Sequence, residues 1–284
     1  MTMIQKSALF LLSMIICGAI FTTVIAQENP FYNKKGKLII IGGGAIPDSL
    51  FSFFANYCGG KDQSVVYIPT ATTDETYIQK GEHLIKFTSQ GFNNLSTIHT
   101  RNKKEADDPK NIALIRNAKG LYFGGGDQQL IADAYAGTKL YDEIIALLDR
   151  GGVIMGTSAG ATIMGSLMIG GDARNDLSKK YTFNPAFSFM TNTALDQHVL
   201  ARNRQFDLIP VIEHYPGTLG IGLDESTAII VEAGQFTVWG KSYAMLYDPK
   251  DWEEQKKKWG LVLKPFKMMS SGSRFNLLTR QITE

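Results

Sequence analysis

One serine stands in a sequence context that makes it a candidate nucleophile. Ser158 is the middle residue of GTSAG, residues 156–160, which fits the G-x-S-x-G pattern of a sharp turn between a strand and a helix. Glycines permit such a turn, which presents the hydroxyl in the crevice at the carboxyl end of the strand. The backbone N–H of Ala159 would then lie at a helix N-terminus and donate to an oxyanion. A phosphate-binding or merely tight turn is the alternative interpretation.

A nucleophilic serine needs a base, and four histidines follow the N-terminal segment of the chain. His83 and His99 lie in charged or polar stretches that are typical of a surface. His198 belongs to a dense polar cluster with the sequence LDQHVLARNR, residues 195–204, which favours it as the base. His214 precedes a turn and stays a second candidate.

An acid that orients the base should follow another buried segment of the chain. Asp224 and Glu225 lie immediately before an apolar stretch that begins near residue 227. Both carboxylates are therefore candidates for this role.

The elements that must position these residues alternate along the chain. Short apolar runs at 37–41, 64–69, 96–99, 120–123 and 152–155 are separated by segments with helical spacing. This alternation predicts an α/β fold with a mostly parallel sheet covered by helices on both faces. Two later runs, 227–231 and 235–246, have no helix between them. They predict a β-hairpin at the sheet edge with its turn at 232–234.

The composition is that of an ordinary globular protein, with 44% hydrophobic and 20% charged residues among 284. The formal net charge of +2 gives no reason to expect nucleic acid as a partner. Residues 1–26 have the pattern of a signal peptide, since Lys6 precedes an apolar run that ends in the small-residue sequence VIA. Cleavage would leave a single α/β hydrolytic domain over residues 27–284, periplasmic or extracellular and without stable membrane association. An uncleaved membrane anchor is the alternative.

Several motifs together make the chain similar to a known family. They are GGDQ at 125–128, GTSAGA at 156–161, DQH at 196–198 followed by Arg202 and Arg204, and GIGLDESTA at 220–228. In this order they resemble the cyanophycinases and the peptidase E-type serine exopeptidases. The resemblance implies a flavodoxin-like fold akin to that of the class I glutamine amidotransferases, a homodimer, a peptide substrate and no cofactor or metal.

The resemblance also implies roles for individual residues. Ser158 would be the nucleophile, His198 the general base and then acid, and Glu225 the group that orients His198. A second oxyanion donor would be a backbone N–H of Gly126 or Asp127. The order serine, histidine, acid along the chain differs from that of the α/β-hydrolases.

The family pattern also implies a set of substrate-binding side chains around this serine. Arginine forks suit carboxylates, and a carboxylate suits an ammonium or guanidinium group. The matching residues are Gln128, Asp196, Gln197, Arg202 and Arg204. One position departs from the pattern, because Asp207 stands where cyanophycinases have a third arginine. We therefore expect the substrate to be a β-aspartyl or related acidic peptide, which need not be the β-aspartyl-arginine polymer.

A different class of function is suggested by three consecutive glycines, residues 42–44, after the first apolar run. They could mark a non-catalytic module that binds a nucleotide or another small ligand. The full G-x-G-x-x-G order is missing, because Ile46 and Pro47 follow where the last glycine is needed.

Overall fold

The computed structural model describes residues 31–169 and 183–283, with two β-sheets and helices packed around them. The predicted signal peptide, residues 1–26, lies outside these residues. Within the described ranges, no helix combines the length and the apolar character needed to cross a membrane.

Five parallel strands form one side of the nine-stranded first sheet. They are β1 (Lys37–Ile41), β2 (Val65–Ile68), β3 (Leu95–Thr97), β4 (Gly120–Phe123) and β5 (Val153–Thr157). Their spatial order is β3-β2-β4-β5-β1. Four of them, β1, β2, β4 and β5, are short and mostly apolar runs buried on both faces, as a parallel sheet requires, whereas β3 at the sheet edge is half-buried. The predicted mixed α/β architecture is thereby confirmed.

The helices lie mainly in the connections between these strands. They are α1 (Asp48–Cys58), α2 (Glu75–Gln79), α3 (Ile85–Ser89), α4 (Lys103–Ala106), α5 (Pro109–Asn117), α6 (Gln128–Tyr135), α7 (Lys139–Asp149), α8 (Ala159–Thr162), α9 (Ile209–His214) and α10 (Pro249–Trp259). Residues 77–90, which have helical spacing between the apolar runs 64–69 and 96–99, do not form one helix. Gly81 adopts a left-handed conformation with φ of 70°, which ends α2 and starts a 3₁₀ turn before α3.

The predicted hairpin exists, but it does not end the sheet. Strands β10 (Thr227–Glu232) and β11 (Gln235–Gly240) join through Ala233 and Gly234, both at positive φ, as a two-residue hairpin turn requires. Strand β10 pairs antiparallel with β1, and β14 (Arg274–Asn276) and β15 (Gln281–Thr283) extend the sheet beyond β11. The edge placement was therefore wrong.

The second run of this hairpin, 235–246, is also not one strand. Gly240 has a φ of 137° and ends β11, and the chain then forms β12 (Ala244–Tyr247) in a second sheet. A Cβ on Gly240 would lie 2.3 Å from the Ser226 carbonyl oxygen, so a close backbone approach requires glycine at this break.

A second, six-stranded sheet was not predicted. It comprises β6 (Leu167–Ile169), β7 (Phe183–Pro185), β8 (Thr193–Gln197), β9 (Leu219–Leu223), β12 and β13 (Lys267–Met269), in the order β13-β12-β9-β8-β6-β7. Strands β8 and β9 are parallel, with Gln197 opposite Leu223. The residues that follow these two strands therefore begin side by side.

One continuous cluster of buried side chains joins the two sheets. It includes Leu38 and Ile154 from the first sheet and Leu195 and Ile221 from the second, each no more than 1% exposed. Burial of these apolar side chains holds the carboxyl ends of β5 and β8 in a fixed relation.

We expect Ile154→Ala to lower the free energy of unfolding by about 2–5 kcal/mol, because it leaves a cavity in the sheet centre. Ile154 is fully buried between Leu38 of β1 and Leu121 of β4. Ile85→Ala is the matched control, since Ile85 is 61% exposed, and it should change stability by less than about 0.5 kcal/mol. Urea unfolding of both variants measures the difference, and equal losses would contradict this account of the core.

Candidate active site

Ser158 occupies a strained turn between β5 and α8. Its backbone has φ of 53° and ψ of −115°, and its N–H donates to the Ile41 carbonyl at 3.0 Å. A Cβ on Gly156 would lie 2.3 Å from the Gly160 carbonyl oxygen, and one on Gly160 would lie 2.3 Å from the Phe123 carbonyl oxygen. Both glycines of the GTSAG motif are therefore required by close backbone contacts.

Ser158 is joined to a histidine and a carboxylate by two short contacts. Its Oγ lies 3.0 Å from Nε2 of His198, and Nδ1 of His198 lies 2.6 Å from Oε1 of Glu225. The three residues come from the ends of β5, β8 and β9. Of the two histidines that the sequence left open, His198 is the one in hydrogen-bond contact with Ser158. His214 lies exposed at the end of α9.

Asp224, the other candidate acid, anchors the turn that follows His198. Its Oδ1 accepts the backbone N–H groups of Leu200 at 3.1 Å and Ala201 at 2.9 Å, and its Oδ2 accepts the Ser242 hydroxyl at 2.6 Å. Burial works to raise the pKa of this carboxyl, but the hydrogen bonds outweigh burial and lower the pKa. The neighbouring carboxylates thus differ, with Glu225 on the imidazole and Asp224 on the backbone.

The three consecutive glycines after β1 pack against His198 and Glu225. A Cβ on Gly43 would lie 2.2 Å from the His198 ring, and one on Gly44 would lie 2.9 Å from the Glu225 side chain. The Gly42 carbonyl also accepts the His198 N–H at 2.9 Å. Close contacts with His198 and Glu225 therefore explain why glycine is needed at these positions, and this explanation differs from the nucleotide-binding interpretation.

The surroundings of His198 favour the neutral form of its imidazole. Burial lowers its pKa below the ordinary value, and the charges of Arg202 and Arg204 add to this effect. The hydrogen bond and charge of Glu225 oppose it. A neutral Nε2 can accept the Ser158 proton while Nδ1–H donates to Glu225, so the contacts suit general-base activation of the serine hydroxyl.

Two backbone amides in the turns beside Ser158 have N–H groups that are free of backbone acceptors in the described part of the chain. Within the described residues, the N–H groups of Ala159 and Gly126 have no hydrogen-bond acceptor. Gly125 brings this turn against the serine, since a Cβ on it would lie 3.3 Å from the Ser158 Cβ. Asp127 differs from expectation, because its N–H already donates to the Ala71 carbonyl at 2.8 Å. Of the two predicted turn donors, only Gly126 has its N–H available.

Two predicted substrate-binding residues form a buried ion pair with each other. Nη1 of Arg204 lies 3.7 Å from Oδ1 of Asp196, and these residues are 8% and 5% exposed. Arg202 is half-buried and close enough to influence the His198 pKa. Asp207 is half-buried, and its charge contributes to raising the pKa of Tyr247. These charged residues lie at the end of β8 and in the segment that follows it.

The two predicted glutamines are both buried. Oε1 of Gln197 lies 3.5 Å from Oγ of Ser158, which puts it at the edge of the site. Nε2 of Gln128 donates to the Ile169 carbonyl at 2.9 Å, so this amide ties α6 to the second sheet.

One surface prediction was wrong. His83 is 5% exposed, and its Nε2 lies 2.7 Å from the Thr97 hydroxyl. Its ring packs against Tyr67 with centroids 5.1 Å apart. The charged neighbours that suggested a surface, Glu82 and Lys86, turn to solvent while His83 turns inward.

Comparisons with known proteins identify the family of the chain. The sequence profile of peptidase family S51 matches residues 38–239. Cyanophycinase from Synechococcus elongatus is 27% identical over 262 residues, which cover 87% of this chain and 81% of the relative. Cyanophycinase from Trichormus variabilis is 28% identical over 226 residues, covering 76% and 75%.

The fold is also found in a solved structure. A peptidase from an acI-B1 Actinobacterium superposes with a TM-score of 0.67 at 19% sequence identity, covering 88% of this chain and 98% of that one. The profile match spans more than half of the chain and includes all three residues of the serine, histidine and glutamate contacts. The chain therefore belongs to peptidase family S51, the family of the cyanophycinases, and is a serine-type peptidase.

Proposed function

We propose that Ser158, His198 and Glu225 form the catalytic triad of this peptidase. The observation that carries the proposal is the continuous contact from the serine oxygen through a buried neutral imidazole to a carboxylate. His198 takes the serine proton as Oγ attacks the substrate carbonyl, and the N–H groups of Ala159 and Gly126 stabilise the oxyanion. His198 then protonates the leaving amine, and water releases the acyl-enzyme.

We also propose β-aspartyl or related acidic peptide bonds as the substrate class. The similarity to cyanophycinases supports this class. The positive charges of Arg202 and Arg204, which are close enough to His198 to lower its pKa, also suit an acidic substrate. Asp207 reverses the charge at a position where the family pattern has arginine, so specificity should differ from that for the β-aspartyl-arginine polymer.

Fold subtype, location and assembly complete the proposal. A flavodoxin-like sheet has the strand order 2-1-3-4-5. Strands β3, β2, β4 and β5 lie in the relative order of its first four positions, and β1 takes the fifth position. This order supports a flavodoxin-like, amidotransferase-like arrangement. The pattern in residues 1–26 supports secretion to the periplasm or the exterior. The resemblance to the family supports a homodimer.

A fluorophosphonate probe tests the nucleophile directly. The purified protein should be labelled, and Ser158→Ala should abolish both labelling and the release of products from cyanophycin or β-aspartyl peptides. Ser52→Ala, at an exposed serine of α1, is the control and should keep both. Labelling that persists in folded Ser158→Ala protein would show that Ser158 is not the nucleophile.

The pH profile tests the base. Because burial holds the His198 pKa below about 6.5, kcat/KM should be at its plateau above that pH and should fall only at lower pH as the imidazole becomes protonated. Glu225→Gln removes a group that raises this pKa, so the acid limb should move to still lower pH while kcat falls about 10²–10⁴-fold. An acid limb that moves upward in Glu225→Gln would contradict the arrangement.

The contact between Gly43 and the His198 ring gives a further test. Gly43→Ala should reduce kcat strongly, because its Cβ collides with the His198 ring and displaces the base. Gly151→Ala is the matched control, since Gly151 has a similar positive φ of 92° against 108° but nothing within 4 Å of the added methyl. Both variants should lose about 1–3 kcal/mol of stability from backbone strain, with the larger loss in Gly43→Ala because of the collision, and only Gly43→Ala should lose activity. Equal activities, measured on peptide substrate, would refute this role for Gly43.

A further inference from the structure

The turn that carries the proposed oxyanion donor Gly126 packs against the loop 69–72, which follows β2. We call residues 125–127 the oxyanion turn. The Ala71 carbonyl accepts the Asp127 N–H at 2.8 Å, and a Cβ on Gly126 would lie 2.1 Å from the same carbonyl oxygen. Ala71 is 1% exposed, so this contact is buried. The place of the Gly126 N–H in the site therefore depends on this loop.

Arg101, which follows β3, holds the loop at the two residues beside Ala71. Its Nη1 donates to the Thr70 carbonyl and its Nη2 donates to the Thr72 carbonyl. Nη2 also lies 3.2 Å from Oε1 of Glu75. A planar guanidinium suits this double contact, because its N–H groups form a rigid fork. Three consecutive carbonyls of the loop are thus in use, the outer two on Arg101 and the middle one on the oxyanion turn.

We propose that Arg101 is a positioning residue for the oxyanion hole. Its guanidinium fixes the loop 69–72, and Ala71 of this loop fixes the Gly126 N–H. The contacts of Arg101 described above are with carbonyl groups of the protein and with a carboxylate, so its role is to position the donor and not to bind the peptide. This inference deepens the proposed peptidase function and rests on it.

The side chain of Thr70 connects the loop to the helix that begins at the oxyanion turn. Thr70 is fully buried, and its Oγ1 lies 2.6 Å from the hydroxyl of Tyr135, the last residue of α6. At the other end of α6, Asp127 is the N-cap, and its Oδ1 accepts the Gln129 N–H at 2.8 Å. The loop therefore contacts α6 at both ends, through the Tyr135 hydroxyl and through the Asp127 N–H.

Glu75 and His99 continue the contacts of Arg101. Oε2 of Glu75 lies 3.0 Å from Nε2 of His99, and Nδ1 of His99 lies 3.1 Å from Oγ1 of Thr70. The side chains of Arg101 and Glu75 are 35% and 50% exposed, so their ion pair by itself contributes little to the free energy of unfolding. Loss of the Arg101 side chain should therefore leave the protein folded and act mainly on the position of the loop.

The position of the Gly126 N–H determines how well it stabilises an oxyanion. A donor is effective at about 2.7–3.1 Å, and removal of one donor costs roughly 10²–10³ in kcat. Arg101→Ala keeps Gly126 but releases the loop, so kcat on a β-aspartyl peptide should fall about 10–100-fold. KM should change less than about twofold, because the oxyanion forms only in the transition state. The rate of fluorophosphonate labelling should fall in parallel, since attack on phosphorus also puts negative charge on an oxygen in this position.

Three controls distinguish positioning from a general loss of structure. Arg116→Ala removes an arginine that pairs with Glu143 at 3.1 Å on the surface, and it should keep kcat within about twofold. Arg101→Lys keeps the charge without the planar fork, so its kcat should lie between those of Arg101→Ala and the unsubstituted protein. Free guanidinium at millimolar concentration should raise the kcat of Arg101→Ala, whereas sodium chloride at the same concentration should not. The acid limb of kcat/KM should stay in place, because Arg101 acts on the donor and not on His198.

The number of labelled Ser158 residues separates failure of this role from failure of the triad, so every rate is expressed per labelled site. Unsubstituted protein with neither labelling nor hydrolysis would overturn the triad, and the role of Arg101 with it. Labelled protein in which Arg101→Ala keeps kcat and the labelling rate within about twofold would overturn the positioning role alone. A loss that appears in KM instead, or that neither Arg101→Lys nor guanidinium relieves, would also overturn it. If Arg101→Ala does not fold, Arg101→Lys serves as the test, with a smaller loss that is again confined to kcat.

Discussion

The approach of the His198 ring to the backbone of Gly43 is the contact on which the rest of the site depends. Only a residue without a side chain leaves room there, since a Cβ would come within 2.2 Å of the imidazole. The same loop accepts the His198 N–H through the Gly42 carbonyl and the Ser226 N–H through the Gly43 carbonyl. The ends of β1, β8 and β9 are thereby tied together, and the imidazole can reach Ser158 at the end of β5.

The charge arrangement follows from this packing. The imidazole is buried in a region where arginines lie nearby and a carboxylate touches Nδ1, and burial prevails in keeping it neutral. Arg204 is itself paired with Asp196 beneath the surface. A peptide that brings a carboxylate to this region would meet positive charge beside the base.

The sequence predicted the parts of the site that are local. The strand, turn and helix around Ser158 are consecutive residues, and the steric need for Gly156 and Gly160 is a property of that turn. The five parallel strands of the first sheet also followed from the alternation of apolar runs with helical segments. The hairpin turn at Ala233 and Gly234 could be predicted for the same reason, because the residues that determine a two-residue turn are adjacent in the sequence.

By itself, the sequence determined the mixed α/β class, the elbow serine and a short set of possible bases and acids. The family resemblance implied Glu225 as the orienting acid, but local spacing left Asp224 open as well. The tertiary structure shows that Glu225 contacts the imidazole, and spacing could not decide this because both residues follow β9 and their partners lie far away in the chain. It also decided that the Asp127 N–H is occupied by Ala71 and that the strand after Gly240 enters a second sheet. These outcomes depend on contacts between segments separated by tens of residues, which local spacing and composition do not encode.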